Sequence, residues 1–488
     1  MAQTRGYNYK KQSVANQEYD AIVVGSGPNG LAAAITLRQA GLTVLLIEGK
    51  TEIGGGMRSK ELTLPGYIHD VCSAVHPMVT MSPFFSGLPL SEHGLELINP
   101  TLAAAHPFDD GTAGILHHSL TETANGLGID KNNYLRLMHS TVRDLPKLLP
   151  DLLGPFPFPS HPLELAGFGL KALTSASWMA GRFDTKQAKG LWAGMAAHAI
   201  QPLTNLSTSA IGMMLMAAAH VGNWPIPKGG SQSIANALVS YFLEIGGKIQ
   251  TGFHVKSLKE LPPSKAVLLD VTPRQLLEIG GDHLSSSYRK RLEKYRYGMG
   301  VFKVDWALSE PIPFKNENCR KAGTVHLGNT YEEILTSEQQ TSEGKHQEKP
   351  FVLLAQPSLF DNSRAPAGKH TAWAYCHVPN GSQEDQTNAI ENQIERFAPG
   401  FKDTILKRST LNAMQMEAYN PNYIGGDING GIQDIWQLYS RPVLSWSPYR
   451  TSAKGLYICS SSTPPGGGVH GMCGYHAAKR ALKDVFRE

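Results

Sequence analysis

Apolar and polar positions change period only a few times along this chain, and those changes predict its elements. Ala21 to Val24 form a short β-branched apolar run, the pattern of a strand buried on both faces. Leu31 to Ala40 are alanine-rich and helical, Gly41 ends that helix, and Thr43 to Ile47 give a second strand. Residues 59–79 read as strand, turn and loop. Apolar residues recur at helical spacing from Asp130 to Leu149. An apolar stretch follows that six prolines between Pro146 and Pro162 are expected to break. Residues 191–198 and 210–219 predict small-residue, methionine-rich core helices, the alternative being the wall of a substrate tunnel. From Pro227 the pattern is glycine turn, amphipathic helix, Gly246-Gly247, then a small ribbon with Val255 in its second strand. Lys265 to Asp270 predict another buried strand. The alternation in RYGMGVFKVDWAL predicts a strand crossing a half-buried sheet, and Glu332 to Lys349 a solvated helix and loop. Strands are expected over 351–356 and 370–378, and a helix over 387–398. Leu456 to Cys459 predict a last strand, followed by a glycine loop and a closing helix.

Chemistry enters at the turns. Gly25, Gly27 and Gly30 spell G-x-G-x-x-G between the first strand and its helix, with Ser26, Pro28 and Asn29 completing the loop. The first glycine permits the sharp turn, the second lets backbone approach a pyrophosphate, and the third lets helix and strand pack closely. The helix start adds amide donors and a positive dipole end. Glu48 closes the second strand, where a carboxylate accepts hydrogen bonds from ribose hydroxyls. A second cluster, Gly54 to Gly56 with Met57 and Arg58, lets backbone approach another part of the cofactor, such as the ribityl chain and ring of a flavin. Arg58 reads equally as a phosphate or carboxylate partner and as a surface arginine. Gly466 to Gly468 precede the closing helix, whose start can face the flavin O2 or ribityl chain. Gly425 to Gly431 form a glycine-rich turn expected to approach the ligand, without the strand or the Lys-Ser/Thr of a phosphate loop.

Composition narrows the class without changing it. The chain has 488 residues, 41% hydrophobic and 18% charged, which suits two or three globular domains. A net charge of +4 without a long basic run gives no sign of nucleic acid. Five cysteines occur with no C-x-x-C, so neither a zinc knuckle nor a dithiol pair is signalled and a reducing cytosol is expected. The start has no apolar signal region, no run of 18 apolar residues occurs, and residues 1–18 read as a flexible leader. His117-His118 make a poor metal pair, because adjacent side chains diverge, and no metal is expected. The proline- and leucine-rich stretch 146–173 is a candidate peripheral membrane contact, against the alternative of a buried connection.

GSGPNG with Glu48, GGGMRS, the PKGGSQSIANAL helix entry with Val255, and STPPGGGVHG together resemble the FAD-dependent phytoene desaturase and amine oxidase superfamily. The nearest likeness is to its phytoene dehydrogenase-like branch, which includes proteins called pyridine nucleotide-disulphide oxidoreductase domain-containing. The resemblance spans nearly the whole chain. It implies an α/β fold, a bipartite Rossmann-type FAD-binding domain (19–78, 226–284 and 441–488) with an inserted α+β substrate domain (79–225 and 285–440). It implies that Gly25, Ser26, Gly27, Pro28, Asn29 and Gly30 hold the pyrophosphate and Glu48 the adenosine ribose. Gly55, Gly56, Met57 and Arg58 are then expected along the ribityl–flavin side, Val255 at the adenine, and Gly467, Gly468 and Val469 at the flavin end. Carotenoid desaturases typically have proline where His470 stands, which argues against a carotenoid substrate. No C-x4-C pair or second G-x-G-x-x-G supports disulphide reduction.

The chemistry so implied is hydride transfer from a substrate C–H to flavin N5, on an apolar, isoprenoid or lipid-like small molecule. The electron acceptor is oxygen, a quinone or another protein. His470, His76 and Tyr475 are the polar residues expected nearest the flavin as catalytic candidates, the alternative for each histidine being a bond to loop backbone. Competing readings are a flavin amine oxidase, with Trp446, Tyr449 and Tyr475 as an aromatic cage, and an FAD-binding scaffold for a partner.

Overall fold

Two sheets carry the fold. The computed structural model describes residues 17–155, 159–438 and 440–486. The leader expected over 1–18 lies outside them except for Gln17 and Glu18, which are exposed. In chain order the strands of the two sheets are β1 Tyr19–Val24, β2 Val44–Ile47, β3 Leu102–Pro107, β4 Ala113–Leu116, β5 Lys248–Gln250 and β6 Ser264–Leu269. They continue as β7 Gly300–Leu308, β8 Ala322–Leu327, β9 Val352–Ala355, β10 His370–Val378, β11 Ile405–Leu411 and β12 Leu456–Ile458.

The first sheet is parallel throughout, in the order β12-β6-β1-β2-β5, with strands from three distant stretches of chain. Both faces of β1 are covered, as its apolar run demands. Ala21 and Val23 face the cluster holding the helices Pro28–Gln39, Gln232–Glu244 and Met472–Ala481. Ile22 and Val24 face Leu276, Ile279 and Tyr288 of the helices Pro273–Gly280 and Ser286–Leu292. Val24 lies opposite both Ile47 and Leu269, so β1, β2 and β6 end in register. Gly25, Glu48 and Asp270 therefore emerge side by side. Strand order reverses between β1 and β6, where open α/β sheets bind their ligands.

The second sheet, ordered β11-β7-β10-β9-β8-β3-β4, is antiparallel except for the β8–β3 pair. All nine residues of β7 are buried, so the expectation of a half-buried sheet is corrected. One face, with Phe302, Val304, Trp306 and Leu308, packs on Ile390, Ile394 and Phe397 of the helix Thr387–Phe397. The other face is covered as well and buries polar side chains, Lys303 and Asp305 among them.

Three further expectations change. The helix Lys131–Leu152 runs on through Pro146 and Pro150. Both prolines lie on its exposed side, while Leu145, Leu148 and Leu149 pack inward on one stripe. No second ribbon strand forms at Val255. After β5 the backbone turns back, and the amides of Gly252 and Phe253 donate to Lys50 O and Glu48 O, 2.8 and 3.0 Å away. The helix Tyr331–Ser342 is not fully solvated: its Glu338 is completely buried and bonds His377 Nδ1 at 2.7 Å. Among the described residues, no helix is long and apolar enough to cross a membrane.

Candidate functional site

A cavity of about 1030 Å³ opens at the carboxyl ends of β1, β2 and β6 and runs to the second sheet. Its first end is built by close backbone contacts. Gly25 has φ +99°, a left-handed turn that side chains resist. A Cβ on Gly30 would sit 1.9 Å from Gly25 O, so only glycine lets the first helix meet its strand there. Gly55 abuts Gly27 in the same way, its Cβ position 2.9 Å from Gly27 Cα. Glu48 Oε2 accepts from the amide and hydroxyl of Ser26, and Oε1 accepts from Lys50 N at 2.9 Å. Arg58 is buried, donates from Nε to Glu52 O, and brings Nη2 to 3.4 Å from Glu48. It is thus a partner of the acid, not a surface arginine.

Asp270 completes this end, and its role was not read from the sequence. Its Oδ2 accepts from Gly30 N at 3.0 Å, and its side chain lies against Gly25 and Gly27. Burial, with a smaller contribution from Glu48, pushes its carboxyl up to about 7, although the Gly30 amide opposes this. The signal available was an acid ending a strand parallel to the one that Glu48 ends.

Gly25 to Asn29, Glu48, Gly55, Gly56, Arg58, Val255 and Gly467 to His470 all line the cavity. Gly30 and Met57 do not: Gly30 serves helix–strand packing, and the Met57 side chain lies in the core. Gly467 abuts Asn429, which also lines the cavity, so the turn 425–431 does approach it. The buried Arg441 braces this junction, bonding Gly431 O at 3.0 Å and lying against Gly466.

Of the catalytic candidates, His76 and His470 line the cavity and Tyr475 does not. Tyr475 packs between Phe84 and His476 instead, because the closing helix turns that face toward neighbouring helices. His470 Nδ1 accepts from Met472 N at 3.0 Å and its Nε2 donates to Gly466 O at 3.2 Å. Both ring nitrogens are therefore committed to the glycine loop, which leaves none for a substrate proton. His76 Nε2 lies 2.7 Å from Ser231 Oγ, whose proton goes to Ser73 O, so the imidazole donates there and keeps its Nδ1 lone pair. Burial holds both histidines down to about 4, so both are neutral near pH 7.

Beyond these loops the walls turn apolar, with Leu165, Phe168, Ile211, Met214, Leu215 and Leu353. The aromatic lining is not the expected set. Tyr449 is buried elsewhere, donating to Pro464 O at 3.0 Å, and Trp446 stands 99% exposed at the rim. Trp373, Tyr375, Tyr419 and Tyr423 form the aromatic wall, with Trp373 and Tyr375 stacked at 5.7 Å. Behind Trp373 lies a buried charged group: Lys303 pairs with Asp305, His69 Nδ1 is 3.6 Å from Asp305, and Arg364 pairs with Asp70 at 2.5 Å. Asp70 also accepts from Ser231 N, which ties the group to the His76 loop.

Comparison with known proteins agrees with this geometry. A family model described as NAD(P)-binding Rossmann-like domain matches residues 23–85. The chain is 25% identical to the mouse protein called pyridine nucleotide-disulfide oxidoreductase domain-containing protein 2, over 98% of this chain and 96% of that one. It is 22% identical to a limonene dehydrogenase subunit of Castellaniella defragrans, over 96% and 95% of the two chains. Its fold is that of a putrescine oxidase solved with putrescine bound: TM-score 0.62, 16% identity, 97% of this chain and 100% of that one. The resemblance read from the motifs and the α/β class both stand, and the chain is an oxidoreductase with a dinucleotide-binding Rossmann core.

Proposed function

We propose that this oxidoreductase, kin to the phytoene desaturases and amine oxidases, holds FAD and takes hydride from a C–H of an apolar small molecule. The observation that carries the reading is one continuous cavity. The dinucleotide loop and the Gly55–Gly56 loop packed on it line one part, Gly467 to Val469 line another, and an apolar wall the rest. Its volume is at the upper limit for a single small ligand, which suits a large cofactor together with a substrate.

The residues fit FAD. Glycines at 25, 27, 55 and 467 leave backbone exposed where side chains would intrude. The buried Asn29 Oδ1 has no partner among the described residues, and Glu48 lines the cavity with a carboxylate that would accept from ribose hydroxyls. When bound, the flavin supplies hydride acceptance at N5. The chain's residues bind and orient: Arg58 balances Glu48, Gly467 to Val469 bring backbone to the cavity, and the apolar wall excludes water. A limonene dehydrogenase chain among the relatives supports an apolar substrate.

A membrane contact belongs to the same proposal. Helix Pro162–Ala172 turns Leu165, Phe168 and Ala172 toward the cavity. Its opposite side exposes Pro162, Leu163, Ala166, Gly167 and Leu170, all uncharged. Leu163 and Leu170 are 84% and 79% exposed. A lipid surface would cover that stripe and deliver apolar substrate to the rim.

The test of the cofactor is direct. The purified protein should be yellow and release FAD in a near 1:1 ratio on denaturation, and Glu48→Ala should lower retention. A colourless protein that takes up no added FAD would sink the reading.

A further inference from the structure

His198 is the polar residue on the apolar part of the wall that best reports what lies against it. It lines the cavity beside Trp224, half-buried, and its Nε2 is 2.9 Å from His326 Nε2. Two imidazole nitrogens at that distance share one hydrogen, so one ring donates and the other accepts. His326 decides which. It is fully buried, packed against Gly194 and Phe351, and its Nδ1 has no partner among the described residues. A bare buried N–H costs more than a bare lone pair. His326 therefore carries its proton on Nε2 and donates to His198. His198 must then carry its own proton on Nδ1, for which no described residue is an acceptor.

The surroundings keep both rings neutral. Burial, helped by His377, holds His198 down to about 3 and drives His326 well below the ordinary histidine range. The carboxylates lining the cavity are Glu48 and Asp270 at the dinucleotide loop, and Asp151 beside Leu152 and Leu153 at the end of its helix. No carboxylate therefore lines the wall beside His198, and the buried Glu338 behind it is paired with His377. Thr324, on the same sheet face two residues before His326, also lines the cavity, and its buried hydroxyl has no partner among the described residues.

We propose that His198, with its tautomer set by His326, binds an uncharged oxygen acceptor on the substrate. The substrate class is then an apolar molecule bearing a carbonyl or ether oxygen, and not an amine. This rests on the reading of the apolar half of the cavity as the substrate's place. His198 is the binding residue and His326 the positioning residue.

Displacement of the neutral fluorophore N-phenyl-1-naphthylamine by dodecane, 2-dodecanone and dodecylamine tests it, on the full chain as purified. The ketone should displace the fluorophore about tenfold better than the alkane, the size of one neutral hydrogen bond. His198→Leu and His326→Leu should each erase that preference, so that ketone and alkane displace the fluorophore equally well. His198→Gln, which keeps an amide N–H, should retain most of it. A merely structural role would weaken all three ligands together. Equal ketone preference in wild type and H198L, no preference in the wild type, or tightest binding of dodecylamine would each overturn the proposal. Should H198L fail to fold by thermal melt, H198Q and H326L decide between these outcomes. FAD content is read separately: a protein without flavin fails the proposed function, while the ketone preference still judges His198.

Discussion

Asp270 shows how much one residue's burial decides. Its carboxyl is held up to about 7 against 3.8 in an open chain, so the folded state keeps a proton that the unfolded state sheds. The resulting penalty is absent below pH 4, grows from pH 4 to 7, and is constant above. Its ceiling is about 4 kcal/mol. In the cofactor-free protein, the stability of Asp270→Asn relative to wild type should therefore rise between pH 4 and 7 and then level off. Thermal melts across that range check it, and a flat difference would refute the buried-acid account. Gly30→Ala should cost about 3 kcal/mol or more, because its methyl would overlap Gly25 O, and cofactor retention should fall with it. The glycines and Glu48 were legible in the sequence because their geometry is local: turn, helix start and strand end lie within 24 residues. Asp270 and His198 were not, since their partners Gly30 and His326 are 240 and 128 positions away. His470 was visible as a cavity residue, but its two backbone bonds were not, and these decide that it holds the loop.

At the scale of elements, the closing helix Met472–Ala481 lies on the first helix with almost no clearance. A Cβ on Gly474 would stand 1.7 Å from Asn29 O. Gly474→Ala should part the two helices, lower the melting temperature and loosen flavin, read by fluorescence of released FAD. A Gly474 substitution that changed neither would show that the contact gives way easily. Helix Pro162–Ala172 makes a separate prediction. Replacing Leu163 and Leu170 by Glu should reduce co-sedimentation with phosphatidylcholine–phosphatidylglycerol vesicles severalfold while shifting stability by no more than about 0.5 kcal/mol, since both side chains are exposed. Equal sedimentation would remove the membrane from the account. The closing helix was expected from its glycine loop, whereas proline content hid the helix Pro162–Ala172 and misled at Pro146 and Pro150. On the exposed side water can meet the carbonyls that the missing N–H groups leave free, and sequence does not say which way a proline faces.

At the scale of the molecule, the cavity proposed to hold the cofactor is lined by segments from residue 24 to residue 470, so its binding should act on global stability. Added FAD at 100 times its Kd should raise stability by about 2.7 kcal/mol, visible as a concentration-dependent rise in melting temperature. No rise would mean that the cavity takes another ligand. The motifs at both ends of the chain announced this sheet, but the walls of the second sheet were illegible because each of its polar residues looks ordinary alone. The three-segment sheet also has a consequence for synthesis. β2 follows β1 within 25 residues and covers one of its edges, but β6, which covers the other, lies about 240 residues downstream. At ribosomal speeds of about 5–20 residues per second, that edge waits roughly 10–50 s in the cell without its neighbour. An apolar strand with a bare edge is what holding chaperones capture. Nascent chains stalled before residue 264 should therefore be protease-sensitive around residue 22, and those stalled beyond about 310, with β6 clear of the exit tunnel, should be protected there while β6 still awaits β12.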